Sequence, residues 1–296
     1  MVGKRLALVV AADDNYIVYA ITTIKSFLFH NRWFDGDIIT FDDGKIFTIS
    51  EKNRKRLRSI YKKVVIRNID YSKYDDVFKE VIKAEKNSGR FIKSYTKFEI
   101  FNFLKDYDKI LCVDADVLFV DNVKDLFMQD IAFGVTSSML ANYYLVTENK
   151  EYKHFKKNDK LINIDSGGFN AGVMYIGDTS LLNFNTDSII GFTYEMLSNY
   201  EENDFCIMFF DQCILNYFFD CRFREQVTLI SPAYNLVVGN MPSNKYKLLD
   251  STDSDFLKNL FVNSKIFHFV MKPEFLNANG KLFSMWNFYR TMPVFR

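Results

Sequence analysis

The sequence predicts an α/β protein with a mixed, mainly parallel sheet flanked by helices. Three observations predict it. Short apolar runs alternate with helix-period patterns from Leu6 to Asp116, and no Pro- or Gly-rich linker breaks the chain. Composition is 48% hydrophobic and 25% charged, the balance of a soluble globular protein. The 31 Phe and 17 Tyr against four Pro favour large sheet and helix cores over disorder. The 296 residues suffice for one large domain, and with no internal repeat one continuous domain is expected.

Leu6 to Ala12 reads as a buried strand, since this apolar run is too short to span a bilayer. Asp13 or Asp14 is placed to cap a helix from about Tyr16 to Phe29, where Ile17, Ile21, Ile24 and Leu28 make one apolar stripe. Ile38 to Phe41 is a second strand, Ser50 caps a basic helix, and Val64 to Ile66 is a third strand. Ser94 opens another helix, with Phe98, Phe101 and Leu104 at core spacing, and a strand then runs to Asp114. Beyond Asp116 the pattern loosens. Val120 to Gln129 suggests a short helix, Ile131 to Val135 a strand, and Glu148 to Lys160 a polar, Lys-rich surface segment. Gly167-Gly168-Phe169-Asn170-Ala171-Gly172 opens a strand from Val173 to Ile176. Helices from about Leu181 to Tyr200 and from Asp211 to Phe219 follow, then a late strand, Lys265 to Val270. The tail, Lys281 to Arg296, reads as a final helix packed on the core, with a peripheral hold on a membrane as the sharper alternative.

The residues that can carry chemistry begin with Asp114 and Asp116, which end the apolar run Lys109-Ile110-Leu111-Cys112-Val113. If the strand continues through them, both carboxylates face one side and repel. A hard divalent cation removes that repulsion and accepts oxygen from both, although the pair by itself is more often a polar strand end. A helix-loop-helix calcium loop is excluded, because Leu118 and Phe119 stand where it needs an oxygen ligand and a glycine. His268 in an apolar strand is by itself more often a satisfied core residue. Beside two carboxylates it completes a donor set that suits Mn²⁺, tolerates Mg²⁺, and leaves positions for phosphate oxygens. Small residues around Asn170 and Ala171 let a ligand approach the backbone; the bland reading is a turn before a strand. Asp211 is favoured at a helix start by the dipole, and Gln212 reads locally as a surface amide. Tyr16 offers a ring for stacking a base, or for packing at the first helical turn. In such sheets ligands bind beyond the carboxyl ends of the strands. The loop Ala11-Ala12-Asp13-Asp14-Asn15-Tyr16 and the Asp114/Asp116 pair can therefore line one cleft.

A formal net charge of +1 gives no general pull onto nucleic acid, and none is expected as a partner. The local basic segment Lys52 to Lys63 reads as a solvated helix face. No Gly-x-Gly-x-x-Gly follows the first strand and no Gly-Lys-Ser/Thr loop occurs, which argues against dehydrogenase and P-loop readings. Cys112, Cys206, Cys213 and Cys221 form no Cys-x-x-Cys pair, so idle thiols in a reducing compartment are expected. Asp13 and Asp14 close the first apolar run without a convincing cleavage site, so a cytoplasmic protein is expected.

Taken in order, these segments resemble family-eight glycosyltransferases, the retaining galactosyl- and glucosyltransferases of bacterial lipo-oligosaccharide synthesis and glycogenin. Ala11 to Tyr16 is similar to the family's first nucleotide-binding turn, Ser94-Tyr95-Thr96-Lys97 to its donor-contacting segment, and Asp106 to Asp116 to its Asp-x-Asp strand. Phe169-Asn170-Ala171-Gly172-Val173 is similar to its most distinctive later motif, Asp211-Gln212 to a helix start near the anomeric carbon, and His268 to the third metal ligand. Lys97 departs from the usual Arg. The Gly and Lys-Pro-Trp that often follow the His are here Met271-Lys272-Pro273-Glu274, on a shorter loop.

The resemblance implies a GT-A (Rossmann-like) fold, a UDP-sugar donor, Mn²⁺ or Mg²⁺, and transfer with retention to a glycan or glycolipid acceptor. It implies a nucleotide-binding half in residues 1–120, a donor-sugar and acceptor half in 121–280, and a terminal helix or tail in 281–296. Ala12, Asp13, Asp14, Asn15 and Tyr16 form the nucleotide turn, with Asp13, Asn15 and Tyr16 on the uridine. Asp114, Asp116 and His268 hold the metal, Asp114 and Ala115 also lie against the nucleotide, and Lys272 meets the diphosphate. Lys97, Asn170, Ala171, Asp211 and Gln212 surround the donor sugar, the last two as catalytic candidates. Same-face attack is favoured over a covalent intermediate, because a neutral amide is a poor nucleophile. Acceptor specificity is expected in Leu140 to Gly168, and the alternative reading of the tail is a peripheral hold on the inner membrane face near a lipid-linked acceptor. Two other readings stay open: a self-glycosylating primer of the glycogenin type, and a non-catalytic sugar-nucleotide-binding module.

Overall fold

The computed structural model describes residues 5–84, 92–137, 169–198, 210–238, 262–270 and 280–293. The first half is a series of strand–helix units: β1 (Leu6–Val10), α1 (Ile17–His30), β2 (Asp37–Asp42), α2 (Glu51–Ile60), β3 (Val64–Asn68), α3 (Asp75–Ala84) and β4 (Lys109–Val113). A 3-10 segment, Ile92–Phe103, leads into β4. Then come β5 (Val117–Phe119), α4 (Lys124–Phe127), β6 (Phe133–Ser137), β7 (Phe169–Ile176), α5 (Thr186–Ser198) and α6 (Phe210–Arg222). The last elements are β8 (Val227–Leu229), β9 (Leu236–Val237), β10 (Ile266–His268) and α7 (Lys281–Thr291).

Seven strands form the main sheet in the order β3-β2-β1-β4-β7-β6-β8. The β3-β2-β1-β4 run is parallel, β7 is antiparallel to both β4 and β6, and β8 is parallel to β6. Alternate residues of β1 serve opposite faces, as strand geometry requires. Ala7 and Val9 join a core with α3, the 3-10 segment, α5 and α6, whereas Leu8 and Val10 join a core with α1, α2 and α7. Much of the aromatic content sits in the first core, where Phe133 and Phe219 stack at 4.0 Å between ring centres. A second sheet, β5-β10-β9, lies on the α1 side.

The departures from expectation have identifiable causes. Tyr16, not Asp13 or Asp14, takes the N-terminal capping position of α1, with no side-chain cap bond, because both carboxylates are engaged elsewhere. The segment after Ser94 is a 3-10 helix, and its three-residue period buries Tyr95, Phe98 and Phe101 along one edge. The strand before Asp114 stops at Val113, and after a turn the chain enters the second sheet as β5. Phe169-Asn170-Ala171-Gly172 lies inside β7 rather than opening it, and α5 begins later than expected, at Thr186. Of the short helix expected over Val120 to Gln129, only Lys124–Phe127 forms. Cys112 is buried as expected, whereas Cys221 is exposed. No helix among the described residues is long and apolar enough to cross a membrane. α7 packs Leu282, Trp286 and Tyr289 inward, with Met292 buried just beyond it, as the packed-helix reading expects; among its described residues Phe288 is 54% exposed. Lys272 and the Leu140 to Gly168 segment lie outside the described residues.

Candidate metal and donor site

The site lies where β1, β4, β7 and β10 meet. Val10 pairs with Val113, so the loop after β1 and the turn after β4 leave the sheet side by side. Because β7 is antiparallel to β4, its beginning, not its end, lies over this edge, and Asp114 N donates to Gly172 O at 2.9 Å. β10 pairs with β5, setting His268 opposite Val117. Thr23 on α1 completes the frame: its buried hydroxyl lies 2.8 Å from Ala115 O and 2.7 Å from Val117 O.

Asp114, Asp116 and His268 converge, with one potential ligand atom from each all within 4.8 Å of one another. His268 Nε2 is 3.6 Å from Asp114 Oδ2 and 3.5 Å from Asp116 Oδ1. These separations are too long for good hydrogen bonds. They suit atoms sharing an ion, since ligands about 2.1 Å from a cation stand roughly 3–4 Å apart at octahedral angles. Burial raises the Asp114 pKa, Lys97 opposes that, and Asp116 adds to the rise. A divalent cation would relieve the same crowding, so the donor set fits one.

Lys97, on the 3-10 segment, ties this cluster to the start of α6. Its Nζ is 2.7 Å from Asp114 Oδ1 and 2.8 Å from Asp211 Oδ2, with Ala171 O at 3.5 Å. Burial alone lowers a lysine pKa, but attraction to Asp114 and Asp211 outweighs it and leaves Lys97 above the ordinary range. Gln212 Oε1 accepts from Ala171 N at 3.1 Å. Asn216, one turn further along α6, clamps both backbone groups of Phe169, at 2.7 Å and 2.9 Å.

Asp13 is buried beside the cluster, where its carboxylate accepts from Asn15 N at 3.0 Å and pairs with Lys93 of the 3-10 segment. Asn15 and Tyr16 are exposed at the same edge, and Ala12 and Ala115 are buried beneath it. Asp14 turns away: its Oδ1 accepts from Ser50 N, Ser50 Oγ and Asn53 Nδ2 at 2.9, 3.2 and 2.8 Å. Burial would raise its pKa, but the bonds from Asn53 and Ser50 prevail and lower it. The structure thus brings Lys97, Asp114, Asp116, Asn170, Ala171, Asp211, Gln212 and His268 into one network. Asp14 instead anchors α2.

Sequence reasoning missed Thr23, Lys93, Asn216 and Asn235. A run of buried polar residues on α1 (Thr22, Thr23 and Ser26) was the signal for the first; the other three carry no local signature. Gly172 was legible only as a small residue open to a ligand. Its neighbour is protein: a Cβ there would fall 2.1 Å from His268 Cε1.

A model of the family described as Glycosyl transferase family 8 matches residues 7–273. Among curated proteins, glycosyltransferase GlyF of Streptococcus pneumoniae serotype 4 (strain ATCC BAA-334 / TIGR4) is 25% identical over 237 residues, 79% of this chain and 50% of GlyF. The chain therefore spans about half the length of that relative. Among solved structures, the galactosyltransferase LgtC in complex with donor and acceptor sugar analogs superposes with a TM-score of 0.62 at 20% identity, covering 97% of both chains. Glycosyltransferase GlyE of Streptococcus pneumoniae TIGR4 gives 0.61 at 20% identity, covering 98% of this chain and 61% of its own. These likenesses show a shared GT-A fold.

Proposed function

Because the chain belongs to glycosyl transferase family 8, we propose that it is a metal-dependent, retaining hexosyltransferase that moves a hexose from a UDP-sugar to a glycan hydroxyl. One observation carries the reading: Asp114 and Asp116 meet a histidine far along the chain, their ligand atoms within 4.8 Å of its own. A divalent ion held by the three supplies positive charge against the diphosphate leaving group.

The rest of the work falls to the chain's own side chains. An ammonium has three hydrogens, and those of Lys97 face Asp114, Asp211 and Ala171 O. Lys97 thus holds the Asp114 carboxylate with Oδ2 toward His268, and keeps Asp211 in place beside the donor sugar. Gln212 Oε1, held by Ala171 N–H, keeps a lone pair for the positive face of the sugar as its bond to UDP breaks. A neutral amide and a carboxylate paired with Lys97 are both weak nucleophiles, which supports same-face attack over a covalent intermediate. On that route the leaving phosphate accepts the acceptor's proton. Asn15 and Tyr16, exposed at the same edge, are placed for the uridine.

Asp116→Ala is expected to abolish both Mn²⁺-dependent UDP binding, read by calorimetry, and UDP release from UDP-glucose or UDP-galactose. Binding and turnover at wild-type levels would sink the site.

A further inference from the structure

We propose that Asn235 is a positioning residue that sets the tautomer of His268, keeping hydrogen on Nδ1 and leaving Nε2 bare toward Asp114 and Asp116. This rests on the metal-site reading above, although the protonation pattern follows from hydrogen bonds alone.

The argument starts at a donor that cannot be reversed. Gly172 N–H meets Asn170 Oδ1 at 2.8 Å, so that end of the Asn170 amide is oxygen. The same oxygen lies 2.8 Å from the Asn235 amide, whose facing atom must be the NH₂. The other end of Asn235, its oxygen, therefore faces His268 Nδ1 at 3.1 Å. An amide oxygen only accepts, so Nδ1 carries the hydrogen. A neutral imidazole has one N–H, so Nε2 presents a lone pair to the two acids 3.5 Å and 3.6 Å away. A lone pair facing two carboxylates is reconciled by a cation between them, and a second ring hydrogen bond that fixes orientation is the usual companion of a metal-bound histidine.

Water has little room to substitute for this relay. Asn170, Asn235 and His268 are 4%, 5% and 3% exposed. The backbone holds Asn235 in place as well, since it immediately precedes β9, which pairs with β10 in the register Phe267↔Leu236 and His268↔Val237. β9 is two residues long, and its pairing presents Asn235 to the ring. Without Asn235 the ring is free to carry its hydrogen on Nε2, where it blocks a cation.

The test uses metal-free protein labelled with ¹⁵N-histidine, at a pH above the ordinary histidine range. Two-bond nitrogen–proton couplings report the tautomer, and His268 is identified among the three histidines by its loss in His268→Gln. Wild type is expected to show Nδ1–H. Asn235→Ala is expected to move the hydrogen to Nε2 and to weaken Mn²⁺ binding, read by calorimetry, about 10- to 100-fold. Asn235→Asp retains an acceptor against Nδ1 and is expected to keep Nδ1–H; it decides the matter if the alanine variant does not fold. Nε2–H in wild type or in Asn235→Asp, Nδ1–H retained in Asn235→Ala, or a moved hydrogen with unchanged Mn²⁺ affinity overturns the proposal. Failure of wild type to bind Mn²⁺ removes the metal reading instead, while the metal-free spectra still judge Asn235.

Discussion

Gly172 has no space for a methyl group. A Cβ there meets His268 at 2.1 Å on Cε1 and 2.5 Å on Nδ1. Gly172→Ala must push the ring away from the acids or bend β7, and overpacking of this kind costs about 1–3 kcal/mol. The variant is expected to melt lower and to bind Mn²⁺ at least tenfold more weakly, measured by thermal denaturation and calorimetry; wild-type metal affinity would show that the ring position does not matter. At this scale the sequence was half legible. Asp114 and Asp116 stand out because two adjacent carboxylates at a strand end demand an explanation. Asn235 and Asn216 do not, because an asparagine between aromatic and aliphatic neighbours gives no hint of partners 65 and 47 residues away. Val270 is the one described non-glycine residue with positive φ, at 56°, two positions after His268. A β-branched side chain is strained there, and the strain lies directly before the segment that carries Lys272.

At the scale of elements, α1 works as a polar clamp as well as an apolar wedge. Thr23 reaches Ala115 O and Val117 O, and Ser26 Oγ accepts from Phe119 N at 3.0 Å. The turn carrying Asp114 and Asp116 is therefore fixed from below. Thr22 is equally buried, but among the described residues its hydroxyl donates to Val18 O on its own helix, at 2.8 Å. Thr23→Val removes a donor shared by two carbonyls and is expected to cost about 1–3 kcal/mol. Thr22→Val is expected to cost less, and equal losses in urea melts would contradict the clamp. The strands up to β4, with α1 and α2, could be read from alternating patterns because each is an ordinary unit of a parallel sheet; α3 was not read. β10 was legible as the apolar run from Lys265 to Val270, but β5 and β9 were not, since strands of two or three residues are too short to show a period. The second sheet they build holds its histidine by pairing, which sequence alone does not display.

For the molecule as a whole, the two ends of the sheet differ in charge character. Acids gather at the carboxyl ends of the strands. At the other end, a cavity of about 520 Å³ between the last turns of α1 and α2 is lined by Arg32, Arg58 and Lys62 together with Phe34 and Tyr61. The basic segment of α2 is not all free charge, since Arg54 is paired with buried Asp42 at 2.5 Å. Nearby, His30 on α1 meets Tyr289 of α7 at 2.7 Å. Burial lowers the His30 pKa, and Asp121 opposes only part of that. In the window below about 6.5, the unfolded chain takes up more protons than the folded one, so stability rises with pH there. Stability from neutral His30 is full above that value and is lost as pH falls toward the folded pKa. His30→Asn is expected to shrink the difference in melting temperature between neutral and mildly acid pH; an unaltered difference would assign the acid sensitivity elsewhere.

The antiparallel run of β7 has a practical outcome. Ser137 and Phe169 are paired across adjacent strands, so whatever chain joins them departs and returns at a single doorway beside Asn170. Lengthening such an excursion costs little closure entropy, and it leaves the sheet register undisturbed. Related chains can therefore exchange that stretch while Asp114, Asp116 and His268 stay where they are.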